Sequence, residues 1–114
     1  MTALLRILND NTIQLTRGDT AAITVDIFDE VTATPYALAS DDTLTLSAKK
    51  TVNDRTYYFQ KIVTGTNRIV IEPADTQKLG FGTYVYDVQL DKASGEVSTV
   101  LGPATFELLT EVTW

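Results

Sequence analysis

Threonine, valine and isoleucine constrain the fold of this chain more than any other feature of its sequence. The 114 residues include 19 threonines, 10 valines and 7 isoleucines, so nearly a third of the chain is branched at Cβ. Branching at Cβ restricts side-chain rotamers in a helix, whereas branched side chains pack well on a pleated sheet. The composition therefore predicts an all-β chain.

Apolar and polar residues alternate along several segments, as they do in strands with one buried face. Ile23, Val25 and Ile27, for example, alternate with Thr24 and Asp26. Strands are predicted near residues 4–8, 12–16, 21–28, 43–50, 56–63, 68–72, 83–91, 96–101 and 104–109. The residues expected to face the core are Ile23, Val25, Ile27, Leu44, Leu46, Ile69, Ile71, Tyr84, Tyr86, Val88, Leu90, Phe106 and Leu108.

Residues 73–79 are the only helical candidate in the sequence. Pro73 can begin a short turn there, and Asp75 or Thr76 can cap it. Turn-forming residues separate the predicted strands at intervals of about ten to fifteen residues, which is the spacing of an all-β sandwich or barrel. A chain of 114 residues supports one core rather than two. We therefore expect residues 1–114 to form a single β-sandwich domain.

Tyr84 narrows the predicted architecture further. It follows the short turn at 73–79 and begins a strongly alternating strand. Immunoglobulin-like sandwiches have a tyrosine at this place, the tyrosine corner, whose ring lies in the core while its hydroxyl bonds to the backbone just upstream. The alternative is that Tyr84 and Tyr86 are ordinary strand residues. The predicted fold is an immunoglobulin-like β-sandwich of about seven to nine mainly antiparallel strands with one short helical turn.

The chain lacks the residue types on which most enzymes and nucleic-acid binders depend. It contains no cysteine and no histidine, which removes thiolate chemistry and the commonest general base and metal ligand. Its 15 acidic and 9 basic residues give a net charge of −6, the wrong sign for neutralising phosphates. A mechanism based on two carboxylates stays open, but no particular pair stands out. We expect no enzymatic activity, no cofactor or metal, no small-molecule substrate and no nucleic-acid partner.

The tripeptide Arg17-Gly18-Asp19 matches a motif recognised by integrins, which bind it only at the tip of an exposed loop. Here it lies between two predicted strands, 12–16 and 21–28. In that position Gly18 can supply the backbone angle of a tight turn, and Asp19 can bond to nearby amides. The sequence therefore predicts a structural turn.

The two ends of the sequence and one aromatic run are candidate interfaces. The N-terminal segment has apolar residues on both faces of its predicted strand and one charge, so we expect it to pack against another copy or a different protein. The alternative is that it folds onto its own domain. Three successive aromatic residues at 57–59 cannot all face one core. The candidate interface residues are Leu4, Leu5, Ile7, Leu8, Tyr58, Val112 and Trp114.

The order of several motifs resembles small β-sandwich proteins of tailed bacteriophages and prophages, notably the N-terminal domain of phage baseplate upper proteins. The motifs are Arg17-Gly18-Asp19-Thr20, Pro35-Tyr36-Ala37-Leu38, Lys49-Lys50, the residues 68–73 and 82–90, and Gly95-Glu96-Val97. The resemblance covers residues from about 12 to 113. It implies a structural or attachment role in the tail, tail tip or baseplate, with other copies or other tail proteins as partners.

The sequence has no pattern of a signal peptide and no run approaching the roughly 18 apolar residues of a membrane span. Together with the resemblance, this predicts synthesis in the host cytoplasm, incorporation into the virion and no membrane partner. Because the sequence ends at Trp114, the receptor-binding extension of that family is not expected here. The competing expectation is an immunoglobulin-like binding module that recognises a host protein or a glycan.

Overall fold

The computed structural model describes residues 6–7, 11–29 and 31–110. Within these ranges the chain forms ten strands and one helix of a single turn, so the predicted all-β class is confirmed. The strands are β1 (Arg6–Ile7), β2 (Ile13–Thr16), β3 (Ala21–Thr24), β4 (Phe28–Asp29), β5 (Thr34–Pro35), β6 (Thr43–Lys49), β7 (Phe59–Thr64), β8 (Arg68–Ile71), β9 (Gly82–Asp91) and β10 (Val97–Leu109). The helix, α1 (Pro73–Thr76), lies between β8 and β9.

Six of the strands form one curled, mixed sheet in the order β1-β2-β10-β9-β6-β7. The pairing of β2 with β10 is parallel, and the other neighbours in this sheet are antiparallel. Two further antiparallel ladders join β3 to β8 and β4 to β5. The mainly antiparallel pairing predicted from the sequence is therefore observed, with one parallel exception at β2.

One apolar core joins the large sheet to the β3–β8 ladder. Every second residue of β6 and β9 is buried in it, because successive side chains of a strand point to opposite faces. Ile23 of β3 and Ile69 of β8 belong to the same cluster. Of the predicted core residues only Ile27 is wrong, since it is partly buried and packs against the cluster from outside.

The predicted strand at 21–28 is interrupted, which explains the position of Ile27. The ladder of β3 ends at Thr24, where it pairs with Arg68. The chain then turns away, and β4 (Phe28–Asp29) pairs with β5 (Thr34–Pro35) in a short hairpin that was not predicted from the sequence. The tip of this hairpin is bound by a side chain, because Oδ1 of Asp29 accepts hydrogen bonds from the amides of Val31 and Thr32.

The predicted strand at 56–63 begins later than expected, at Phe59. Residues 50–58 form a loop that is closed by reciprocal hydrogen bonds between Thr51 and Asp54. Tyr57 and Tyr58 therefore precede the strand, which begins at Phe59.

The two strands predicted at 96–101 and 104–109 are one strand, β10. Its register against β9 shifts twice, between Thr99 and Leu101 and between Leu101 and Ala104. Gly102 lies in the second shift with a positive φ of 95°. The strand continues through the irregularity because pairing with β9 resumes at Ala104.

The helical turn at Pro73 is shorter than predicted and is capped by a different residue. The helix ends at Thr76, and its N-cap is Glu72, not Asp75 or Thr76. Asp75 instead occupies the third helical position and accepts a 2.7 Å hydrogen bond from the backbone amide of Glu72. This reciprocal arrangement is a capping box. Thr76 is fully buried and accepts a hydrogen bond from the amide of Gly18 at 3.0 Å.

Candidate functional site

Tyr84 lies near the start of β9, and its contacts are all with residues of the same fold. The residue is 4% exposed, and its hydroxyl donates a hydrogen bond to the carbonyl oxygen of Gly80 at 2.8 Å. The ring of Tyr58 packs against it edge-on, and the Lys50 ammonium lies 4.6 Å from its centroid. Burial raises the pKa of Tyr84, and the neighbouring Tyr58 adds to this effect. The hydroxyl therefore stays protonated and remains a donor.

The turn at residues 17–19 is also structural, as the sequence predicts. The amide of Asp19 donates to the carbonyl oxygen of Thr16 at 3.1 Å, which closes the turn. The Arg17 guanidinium donates to the carbonyl oxygen of Leu79 and lies 4.1 Å from the ring centroid of Phe81. These contacts bind the turn to the segment that follows α1.

The segment between β3 and β6 exposes apolar side chains. Its β4–β5 hairpin has two exposed apolar side chains, with Phe28 at 59% and Val31 at 96% exposure. Isolated exposed apolar residues are ordinary, but here two lie on one short hairpin, three residues apart in the sequence. This surface is a candidate contact site for another protein.

The hairpin is joined to the sheet through Tyr36 and Asp42. The amide of Tyr36 donates to the carbonyl oxygen of Ile27, which continues the hairpin ladder. The Tyr36 hydroxyl donates to Oδ2 of Asp42, and the same oxygen accepts from the amide of Ala39. The hydrogen bond from Tyr36 is the main reason that the pKa of Asp42 is lowered, and this bond also raises the pKa of Tyr36. The arrangement holds the carboxylate charged and the phenol neutral.

Two open clefts lie beside the hairpin, and Ile27, Phe28 and Tyr36 line both of them. The larger, of about 600 Å³, is lined by residues 25–28, 35–38 and 65–67. The smaller, of about 400 Å³, is lined by residues of the hairpin together with Leu90, Lys92 and Glu96. Both volumes lie in the range of clefts that hold a small ligand or a partner's side chain. The β4–β5 hairpin and the two clefts beside it are together called the hairpin end here. The hairpin end therefore offers recesses as well as exposed apolar side chains.

The loop at residues 50–58 forms a second exposed surface. Val52, Tyr57 and Tyr58 are 56%, 51% and 48% exposed. This loop follows the C-terminal end of β6, whereas the hairpin end precedes β6. Since β6 has seven residues, the two surfaces are separated by about 20 Å along the strand.

The interface residues predicted from the sequence are only partly within the described chain. Tyr58 is half-exposed and packs on Tyr84. The backbone of Ile7 pairs with Ile13 of its own sheet, as the alternative of a self-folding arm requires. The remaining predicted interface residues, namely Leu4, Leu5, Leu8, Val112 and Trp114, lie outside the described residues.

Sequence reasoning missed the hairpin surface at Phe28 and Val31. The available signal was the break in alternation at Ile27-Phe28, where two apolar residues are adjacent. An interrupted strand cannot be told from a continuous one by this signal alone, because both begin with the same alternating residues.

No protein-family model, curated protein or solved structure matches this chain. In the part of the chain that the structure describes, no three acidic side chains are grouped closely enough to hold a metal ion. The same part contains no helix with the length and hydropathy needed to cross a membrane.

Proposed function

We propose that this protein is a non-enzymatic structural and assembly protein of a bacteriophage or prophage virion, acting in the tail, the tail tip or baseplate attachment. The order of its motifs, which resembles that of the N-terminal domain of phage baseplate upper proteins, supports this role. The proposal rests chiefly on the hairpin end, where Phe28 and Val31 are exposed beside two open clefts. Such a surface suits contact with another protein.

The finer fold in this proposal is an immunoglobulin-like sandwich. In such domains one sheet contains strands G, F and C, with C′ added in the variable type, while B and E pair in the other sheet. The order β10-β9-β6-β7 agrees with G-F-C-C′, and the β3–β8 ladder agrees with B–E. Tyr84 would be the corner tyrosine at the start of strand F, and its hydrogen bond to Gly80 supports this assignment.

This assignment gives the hairpin end a functional position. The connection 25–42 would be the B–C loop, and residues 92–96 would be the F–G loop. Residues of both segments line the smaller cleft, so the two loops lie at the same end of the domain. Variable domains use the corresponding end for binding. We therefore assign docking in the virion to the hairpin end.

The test of this role is incorporation into particles. Mass spectrometry of purified virions from the source phage or induced prophage should detect this chain in a stoichiometric amount relative to other tail proteins. Its absence from virions whose other tail proteins are detected would overturn the proposal. Changing both Phe28 and Val31 to Ser should reduce incorporation, whereas Ile62→Ser, at an exposed position on β7, should not.

A second candidate is a binding module for a host protein or a glycan, favoured by the composition of the larger cleft. Its lining combines the rings of Phe28 and Tyr36 with the side chains of Asp26 and Asn67. Aromatic faces beside carboxylate and amide groups suit the apolar faces and hydroxyls of a sugar. Glycan-array binding by the wild type that is lost in Phe28→Ala and Asp26→Ala would favour this function over assembly.

A further inference from the structure

Negative charge is concentrated at the end of the domain where the hairpin end lies. Asp91 is paired with Thr43 at the start of β6, which places the end of β9 there. Arg68 of β8 is paired with Thr24 at the end of β3, which leads into the hairpin. Apart from buried Asp42, the charged residues that the structure describes at this end are Asp26, Asp29, Asp41, Asp91 and Glu96 against Arg68 and Lys92, a net charge of −3. The remaining described residues include six acidic and seven basic ones, so that part of the chain is nearly neutral.

The larger cleft of this end is lined by a carboxylate and, among the described residues, by no basic side chain. Of its eleven lining residues only Asp26 is charged, and Asp26 is exposed. Lys92 belongs to the smaller cleft, where its ammonium lies 3.5 Å from the carboxylate of Glu96. Arg68 lines neither cleft. The charge of Asp26 is therefore not balanced by a basic residue of its own cleft.

The polar side chains of the larger cleft mainly offer hydrogen-bond acceptors. The carboxylate of Asp26 can only accept. The amide nitrogen Nδ2 of Asn67 already donates to a backbone carbonyl oxygen at 3.2 Å, and its Oδ1 is an acceptor. The hydroxyl of Tyr36 already donates to Asp42, so it too can only accept from a ligand. Thr66 alone adds a hydroxyl donor to this lining. A ligand that is rich in donors therefore fits the cleft.

Two aromatic side chains, Phe28 and Tyr36, line the same cleft. A cation is attracted to an aromatic face within about 6 Å of the ring centroid. The protein already makes such a contact beside the smaller cleft, where the Lys92 ammonium lies 4.9 Å from the ring centroid of Tyr36. An arginine guanidinium combines positive charge, five donors and a planar group that stacks on aromatic rings. It therefore matches the charge, the acceptors and the rings of the larger cleft.

We propose that the larger cleft binds an arginine side chain, presented by a basic segment of the partner protein that docks on the hairpin end. The guanidinium pairs with the carboxylate of Asp26, donates to Oδ1 of Asn67 and stacks on Phe28. The negative charge of this end of the domain attracts and orients the basic segment. This inference rests on the proposed function and names the chemistry of the partner at its docking end.

Nuclear magnetic resonance titration of the full chain with two matched peptides tests the inference. The probe is a five-residue peptide with capped ends, arginine at its centre, lysine at both ends and glycine between them. The amide resonances of the residues that line the larger cleft should shift saturably, with a dissociation constant of about 1 mM or tighter. In the second peptide citrulline, which has the shape of arginine without its charge, replaces the arginine. This peptide should bind at least about tenfold more weakly.

Three variants assign the binding to this cleft. Asp26→Asn removes the carboxylate charge and Phe28→Ala removes the ring, and each should weaken binding of the arginine peptide at least about tenfold. Glu96→Gln is the matched control, because it removes the same charge from the same end but lines only the smaller cleft. Its binding should weaken less than about threefold, since exposed charges that do not touch the ligand are screened by salt. Unchanged amide resonances outside the clefts establish that all variants are folded.

The inference is overturned if no resonance of the cleft shifts saturably up to about 10 mM peptide, if the arginine and citrulline peptides bind equally, or if Asp26→Asn and Glu96→Gln weaken binding equally. A glycan that shifts these resonances where the arginine peptide does not also overturns it, and favours the second candidate function.

The proposed function is tested separately by virion composition. A chain that is present in virions but does not distinguish arginine from citrulline contradicts only the arginine site. A chain that binds the arginine peptide but is absent from virions contradicts only the proposed function.

Discussion

The hydroxyl of Tyr36 donates a 2.5 Å hydrogen bond to Oδ2 of Asp42, and this contact joins the base of the β4–β5 hairpin to the start of β6. Asp42 is 3% exposed, and its carboxylate also accepts a hydrogen bond from the amide of Ala39. Its backbone carbonyl accepts a further bond from the amide of Gly65. Asp42 thus bonds to Tyr36 and to Gly65, which both line the larger cleft.

Stability should therefore depend on pH through Asp42. Its folded-state pKa is lowered from 3.8, mainly by the hydrogen bond from Tyr36. A carboxylate of this kind stabilises the folded state above its unfolded pKa, and the stabilisation is lost as the pH falls through the folded pKa. Asp42→Asn should lower the urea midpoint at neutral pH and make the midpoint fall less than that of the wild type below about pH 4.

Urea melts at a series of pH values measure this effect, with Asp41→Asn as the control. Asp41 is exposed and adjacent, so the control makes the same change of charge outside the Tyr36 contact. An acid-induced loss of stability that is the same in the wild type and Asp42→Asn would contradict the prediction. On the alkaline side, the raised pKa of Tyr36 means that its contribution is present below 10.0 and is lost as the pH rises through the folded value.

Replacing Tyr84 by Phe should lower the free energy of unfolding by about 0.5–1.5 kcal/mol, the net value of one hydrogen bond. The substitution leaves the buried ring in place and removes only the donor to Gly80. Tyr57→Phe is the matched control, because Tyr57 is 51% exposed and its change should stay within about 0.5 kcal/mol. Coincident urea curves for Tyr84→Phe and the wild type would show that the hydroxyl has no role in stability.

Gly102 should tolerate alanine much less well than Gly95 does. Both glycines have a similar positive φ, 95° and 96°, so alanine is strained at either position. At Gly102 an added Cβ would also lie 2.6 Å from the carbonyl oxygen of Tyr86, whereas at Gly95 it would meet nothing within 4 Å. We expect Gly95→Ala to cost about 1 kcal/mol and Gly102→Ala about 3 kcal/mol or more.

Thermal or urea unfolding of both alanine variants provides the measurement. The comparison separates crowding from backbone strain, because only Gly102 approaches the backbone of β9. Equal losses of stability in the two variants would contradict the prediction, because they would mean that in Gly102→Ala β10 moves away from β9 without a cost in stability.

The capping box of α1 should contribute more stability than the ion pair beside it. Asp75 bonds to the amide of Glu72 at 2.7 Å and pairs with Lys61 of β7 at 3.1 Å. Asp75→Ala removes both contacts and should cost about 1 kcal/mol. Lys61→Met removes only the partly exposed ion pair, keeps most of the apolar stem and should cost less than about 0.5 kcal/mol. Similar losses for the two variants in urea melts would assign the effect to the ion pair.

Local sequence accounts for much of this fold because the relevant interactions are local. Leu44 and Leu46 are buried as predicted, since the two-residue period of a strand decides which side chains share a face. The hydrogen bond from Tyr84 to Gly80 spans four residues and could be anticipated from the short turn before β9. The turn at Gly18 was predictable for the same reason.

Other features depend on residues distant in the sequence. The strand at 21–28 was expected to continue because alternation persists to Ile27, but the ladder with β8 ends at Thr24. Thr76 was expected to cap a helix, yet it is buried beneath the turn of Gly18, 58 residues away. Neither partner can be identified from the local pattern, because alternation describes the faces of a strand and contains no information about its neighbours.

The sequence by itself determined the all-β class, the faces of the main strands and most of the core, since these follow from side-chain branching and a period of two. Only the tertiary structure decided that β2 lies parallel to β10 and that the hairpin is held by Tyr36 and Asp42. These features arise when strands pair and loops gather at the ends of a sheet. They therefore depend on which distant segments meet, which the local periodicity does not specify.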